Sequence, residues 1–279
     1  MKTSIAAGIA LLLYVAACAA AWIAWDGARA HEQQAGLIGE FLNPTHQADR
    51  AGRKLLEDLS LGLYDGYSRD LDALKSMRYR KSEYARTTGL ATLAFFILIG
   101  VMLVTVALGF RTRIAFAYAA LLASLPALVV GLAAPVLMIV AYQDVPLVGE
   151  TVFRHQSKGV LTTLTTLYEH GNWIVAALLA MFSVIIPTLK TLILLGTGVA
   201  RWRHIALRGL IWAKHIGKWS MADVFVVAML MSFFATDQAA NTFAELQAGL
   251  WFFTGYVVLS LLGAQLLAHP GDSRIPPTA

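Results

Sequence analysis

Cysteine is almost missing from this chain: Cys18 stands alone among 279 residues, so neither an intrachain disulfide nor a cysteine-ligated zinc site can form. Charge is scarce too, at 14% of residues against 58% hydrophobic, which excludes an ordinary soluble enzyme. A glycine-rich phosphate loop, an HExxH helix and a GxSxG elbow are all lacking. With no hydrolytic or redox constellation, the chain is expected not to be an enzyme and to need no cofactor and no metal. The formal charge of +5 is accounted for by basic links between apolar runs and by anionic headgroups, so no nucleic-acid partner is expected.

What the chain has instead is long apolar runs. Those near the ~20 residues needed to cross a bilayer are Ser4 to Trp25, Gly89 to Phe110, Ile114 to Tyr142, Asn172 to Val199, Trp219 to Thr236 and Gly249 to Ala268. They predict an all-α polytopic membrane protein with about six transmembrane helices. The third and fourth runs contain proline and are long enough to tilt or kink. Arg111 and Arg113 fill the link after the second run, and Arg201, Arg203, Arg208, Lys214 and Lys218 the link after the fourth. Both links read as cytoplasmic, which places both termini in the cytoplasm. Val15-Ala16-Ala17-Cys18 has the form of a bacterial lipoprotein cleavage box. The apolar run outlasts a signal-peptide core, however, continuing through Trp22 and Trp25 behind a single Lys2, so the first span is read as uncleaved and Cys18 as a small packing residue.

Residues 26–88 form the one extended polar stretch and face away from the cytoplasm. Asn43-Pro44 breaks it early; thereafter Leu56, Leu59, Leu63, Tyr67, Leu71, Leu74 and Met77 recur at the spacing of an amphipathic helix. The expectation is a helical insertion, continuing spans one and two outward as a stalk. Whether it is only a packed hairpin or a docking surface for a periplasmic partner stays open. Val145-Pro146-Leu147-Val148-Gly149 reads as a turn, and Val160, Leu161, Leu164, Leu167 and Tyr168 form one helical stripe suited to the interface plane. Glu169-His170, beside the aqueous boundary, is either a proton-handling pair or simply solvated. The basic link 200–218, with Trp202 and Trp212 among its charges, is either an interfacial anchor or only topogenic.

The candidate site lies in the fourth and fifth spans. Pro187 has no amide hydrogen and its ring presses on the Ser183 carbonyl, so a kink is expected there. Lys190 follows within the same apolar run, and a charge at membrane depth calls for a partner. Asp223 opens the next span and, the helices being antiparallel, lies toward the same membrane face. Ser183, Lys190, Ser220 and Asp223 could therefore form a buried polar cluster of the kind a proton relay needs. A blander reading also stands: Lys190 is about ten residues, roughly 15 Å, before Arg201 and could snorkel, and Asp223 could simply stabilise a helix N-terminus.

The stretches Arg113-Ile114-Ala115 through Leu132-Ala133-Ala134-Pro135-Val136-Leu137-Met138, Gly159-Val160-Leu161 with Gly171-Asn172-Trp173, Ser183-Val184-Ile185-Ile186-Pro187-Thr188-Leu189-Lys190 and Gly217-Lys218-Trp219-Ser220-Met221-Ala222-Asp223-Val224-Phe225 resemble the paraquat-inducible protein A family of bacterial inner-membrane proteins. The resemblance covers residues 111–268 and implies one four-helix module of that family, preceded by a two-span hairpin over 1–110 and followed by a cytoplasmic tail over 269–279. It implies a role in moving lipids or other hydrophobic molecules across the Gram-negative envelope beside a periplasmic MCE-domain protein. It further implies that Ser183, Lys190, Ser220 and Asp223 serve proton-coupled movement. Two departures stand out: many members carry cysteine-rich zinc ribbons and tandem modules, whereas this chain has one cysteine and one module. The rival expectation is a non-transporting interaction protein that assembles or regulates an envelope complex.

Overall fold

The computed structural model describes residues 2–43, 47–60, 64–145, 149–196, 228 and 242–268. The protein is predominantly helical. Its elements run α1 (Lys2–Phe41), α2 (Gln47–Leu59), α3 (Gly66–Phe110), α4 (Arg113–Ala133), β1 (Pro135–Val145), β2 (Gly149–Gly159), α5 (Val160–Glu169), α6 (Trp173–Ala180), a π-helical segment (Met181–Ile185), α7 (Ile186–Gly196), β3 (Thr242–Leu246) and α8 (Ala248–Ala268). Among the described residues five helical stretches are long and apolar enough to cross a membrane: Thr3–Phe41, Gly66–Phe110, Arg113–Ala133, Trp173–Gly196 and Ala248–Leu267. Apart from Ala228, the run Trp219 to Thr236, expected as a further span, lies outside the described residues, as do the basic link and the tail.

The expected stalk is present: α1 and α3 continue spans one and two without interruption into the polar region. Along α1 and just past its end, the buried residues Ala17, Ala21, Ala24, Ala28, His31, Ala35, Ile38 and Leu42 alternate at four and three residues, with Ala6 and Ala20 buried besides. On α3, Thr88, Thr92, Phe95, Ile99, Met102 and Val106 keep the same alternation. This is the seam of an antiparallel coiled coil. Alanine on the α1 side lets the backbones approach closely, which is how helices associate where lipid removes the hydrophobic drive.

At the far end of the stalk the amphipathic pattern does not run through one helix, as the spacing suggested, but through two. α2 stops at Leu59, and α3 starts at Gly66. Glu57 explains how the break is held. Its carboxylate accepts the amides of Tyr67 (2.8 Å) and Ser68 (3.0 Å) and the Ser68 hydroxyl, capping α3 from the neighbouring helix. The Ser68 hydroxyl and these amides hold the carboxyl below the ordinary glutamate range. Arg53 adds a forked contact to Asp70 at 2.9 and 3.1 Å.

The third apolar run is divided differently from the expectation of one long span. Helix α4 ends at Ala133, and Pro135–Val145 is a strand rather than the end of a helix. Proline is the physical reason: Pro135 pushes the residue before it out of the helical region, and Ala134 sits at φ −83°, ψ 153°. The strand β1 is central in an antiparallel sheet of order β2-β1-β3, and its consecutive residues Val136, Leu137 and Met138 are all buried. A strand covered on both faces shows no alternation, so its sequence looked like more helix. Strands β1 and β2 flank the expected turn, whose residues 146–148 lie outside the described residues.

Two contacts bind hairpin and module together. One core joins alanines of α1, Phe95 of α3, Leu128 of α4 and Phe252 and Phe253 of α8; the rings of Phe95 and Phe252 are 4.9 Å apart. On the stalk, Met138 and Val140 of β1 pack with Ala35, Ile38, Leu42 and Leu74, so the sheet lies against the α1–α3 hairpin. Pro126 interrupts α4 and removes the donor normally offered to the Leu122 carbonyl. The Tyr14 hydroxyl of α1 donates to that carbonyl at 3.3 Å.

Candidate polar site within the membrane bundle

Helices α6 and α7, with the π segment between them, make one crossing element with a narrow inward face. Ser183, Pro187, Thr191 and Leu194 are buried, at a helical spacing, while Trp173, Ile174, Leu178, Ile185, Leu189 and Leu192 are exposed. Such exposure in an apolar helix is a surface for lipid tails. Leu194 packs with Leu121 of α4 beside Ala264 and Leu267 of α8, which places the end of α7 against the first half of α4 and the end of α8.

Ahead of Pro187, where a kink is expected, the structure has the π segment Met181–Ile185, in which the Ile186 amide donates to the Met181 carbonyl. A widened turn ahead of a proline relieves the clash of its ring with the preceding backbone. The Thr188 hydroxyl donates to the Val184 carbonyl at 2.6 Å. Beyond the proline, the Pro187 carbonyl accepts the Thr191 hydroxyl and the Tyr256 hydroxyl, both at 3.0 Å, and the two hydroxyls are 3.3 Å from each other. Tyr256 comes from α8 and is 2% exposed. The result is a buried hydroxyl cluster that ties α7 to α8.

Of the residues expected to form the site, Ser183 and Pro187 are on the inward face. Lys190 is half-buried on the flank of that face, three residues after Pro187. Ser220 and Asp223 lie outside the described residues, so the Lys190 to Asp223 pairing does too. Thr191 and Tyr256 were missed by sequence reasoning. The signal for Tyr256 was there to use: a tyrosine within an apolar span must find a partner for its hydroxyl. Thr191 had none, since threonines are scattered through all the spans. Glu169 and His170 are both exposed at the end of α5, with His170 Nδ1 2.7 Å from the Thr166 carbonyl, which suits the solvated reading of that pair.

Close approach is a second property of the bundle. A Cβ on Gly131 of α4 would stand 2.6 Å from the Phe253 amide nitrogen of α8, and one on Gly249 would stand 2.5 Å from the carbonyl oxygens of Ala134 and Pro135. Only a hydrogen fits at these two positions. Among the described residues no group of three or more His, Cys, Asp and Glu side chains is placed to hold a metal ion.

Residues 111–269 match the family model described as Paraquat-inducible protein A. No curated protein and no solved structure matches the chain.

Proposed function

Because the chain belongs to the paraquat-inducible protein A family, we propose that it is a bacterial inner-membrane component of envelope transport, moving lipids or other hydrophobic molecules. The observation that carries this reading is the crossing element α6 to α7: a face of exposed apolar side chains on one side, and on the other a buried polar set of Ser183, Thr191 and Tyr256 with Lys190 at its flank. A lipid-facing helix whose inward face is polar and interrupted by a π segment can respond to a change of charge with a change of packing. In this proposal Lys190 and Asp223 couple proton movement to that change, with Ser183 and Ser220 beside them. The protein performs no covalent chemistry and takes no cofactor; it works on membrane lipids beside an MCE-type periplasmic protein, with both termini in the cytoplasm. The charge pattern that sets this orientation is the basic Arg111 to Arg113 link.

A second reading has one observation in its favour. The α1–α3 hairpin, with its long stalk, lies wholly outside the residues that match the family model. In that reading the stalk assembles or regulates an envelope complex and the charged residues only lock the bundle.

The two readings separate on Lys190→Ala, Asp223→Ala and the double variant, assayed for lipid transfer beside expression and thermal stability. Each single change should abolish transfer. Stranding one partner of a buried pair can also cost about 3 to 5 kcal/mol, and removing both relieves much of that. A relay stays inactive in the double variant; transfer restored there would overturn proton coupling through this pair and favour the structural reading.

A further inference from the structure

Where the α1–α3 hairpin meets β3 and the first turn of α8, the two parts leave a groove with a cavity volume of about 340 Å³. Its wall changes character from one end to the other. His31, Thr88, Glu245 and Gln247 line the polar end, and Phe96 and Trp251 the apolar end. The sequence of α3 explains the division. Glu83 and Arg86 precede the groove, and no charged residue follows from Leu90 to Phe110, so the boundary between water and hydrocarbon passes through it. Trp251, 55% exposed, marks the same level on α8.

Two further observations concern what the groove could hold. Gln247 Nε2 has no hydrogen-bond partner among the described residues, and Gln247 is only 7% exposed. Buried polar atoms are normally satisfied, and a ligand headgroup would supply what this one lacks. The charges nearby have both signs: Glu245 Oε2 is 3.5 Å from Lys81 Nζ, and Glu245 Oε1 is 3.9 Å from His31 Nε2. A purely anionic headgroup would meet the carboxylate, and a purely cationic one the lysine. A headgroup carrying both signs is complementary.

We propose that this groove binds a zwitterionic aminophospholipid. Its phosphodiester lies toward Gln247 and Lys81, its ammonium toward Glu245, and one acyl chain leaves past Phe96 and Trp251 into the bilayer. The inference rests on the transport reading above and supplies it with a substrate class and an entry site built jointly by the hairpin and the family module.

The test uses the full chain in nanodiscs with phosphatidylethanolamine carrying a photoreactive acyl chain, the labelled peptides being identified by mass spectrometry. Labels should concentrate around Phe96 and Trp251. Gly89 lines the groove, and a Cβ there would meet no atom within 4 Å, so Gly89→Leu starts its side chain in open space and directs it into the groove. That variant should cut labelling at both positions by about tenfold while melting as the unvaried protein does. Glu245, half-exposed, provides a second variant that leaves the core untouched. Glu245→Gln should reduce the preference for phosphatidylethanolamine over phosphatidylglycerol by about two- to fivefold. Labels spread evenly over the lipid-facing helices, or indifferent to both variants, overturn the groove. If the unvaried protein still transfers lipid, only the groove falls; if it neither transfers nor takes label, the transport reading falls with it.

Discussion

Single residues do their most legible work here as hydrogen-bond partners. The Pro187 carbonyl receives two hydroxyls, from Thr191 and from Tyr256 of another helix. Tyr256→Phe removes the interhelical donor and leaves the Thr191 hydroxyl in place. A loss of about 0.6 kcal/mol, and at most about 1.7 kcal/mol, is expected from such a bond in a membrane protein, measured by thermal unfolding in detergent. Glu57 acts outside the membrane, where its carboxylate caps α3 and its acidity is raised by the Ser68 and Tyr67 donors. A carboxyl held below its unfolded value of 4.5 stabilises above that value and ceases to do so as pH falls through its folded value. Wild type should therefore melt above Glu57→Gln at neutral pH. The difference should shrink toward zero as the solution is acidified below 4.5. A gap that persists unchanged into strong acid would mean the cap works without its charge.

At the scale of elements, packing turns on how near two backbones can come. On α4 and α8, Gly131 and Gly249 stand where a methyl group would collide with backbone atoms. Gly8 and Gly100, by contrast, face open space on α1 and α3. Gly131→Ala should lower thermal stability by about 1 to 3 kcal/mol, the usual range for overpacking, because the obstacle is the backbone of Phe253 and cannot rotate away. Gly100→Ala should be neutral or slightly stabilising, since alanine is the better helix former by roughly 1 kcal/mol. Equal effects of the two changes would contradict the close α4 to α8 crossing. The same principle explains the α1 seam, where alanines occupy the positions that a soluble coiled coil would give to leucine or isoleucine.

For the whole molecule the central question is which side of the membrane holds the stalk and sheet. Strand β1 follows α4, packs on the stalk and lies at the opposite end of α4 from the Arg111 to Arg113 link. In the orientation proposed above from the positive-inside rule, this end is periplasmic. A cysteine replacing Ser68, which is exposed beside the α3 cap, should react with an impermeant maleimide added to spheroplasts. One placed within residues 200–218 should react only after lysis; the reverse pattern would invert the topology.

The sequence by itself determined the membrane class, five crossing helices at apolar runs among the described residues, and the helical continuation of spans one and two into the polar region, while its proline marked where the fourth crossing element departs from a regular α-helix. These follow from local properties: run length, helical periodicity, and a residue that lacks an amide hydrogen. Tertiary structure alone decided that Pro135–Val145 is a strand, because a strand buried on both faces has no periodicity to read. It alone brought Tyr256 to Pro187, Tyr14 to Leu122 and Glu57 to the start of α3, contacts between residues far apart in the chain or across a turn. Ser183 and Pro187 could be read in advance because a proline and the carbonyl it displaces lie on one helix. The groove at His31, Glu245 and Trp251 could not, because its two walls come from segments some two hundred residues apart and exist as a site only when they are packed together.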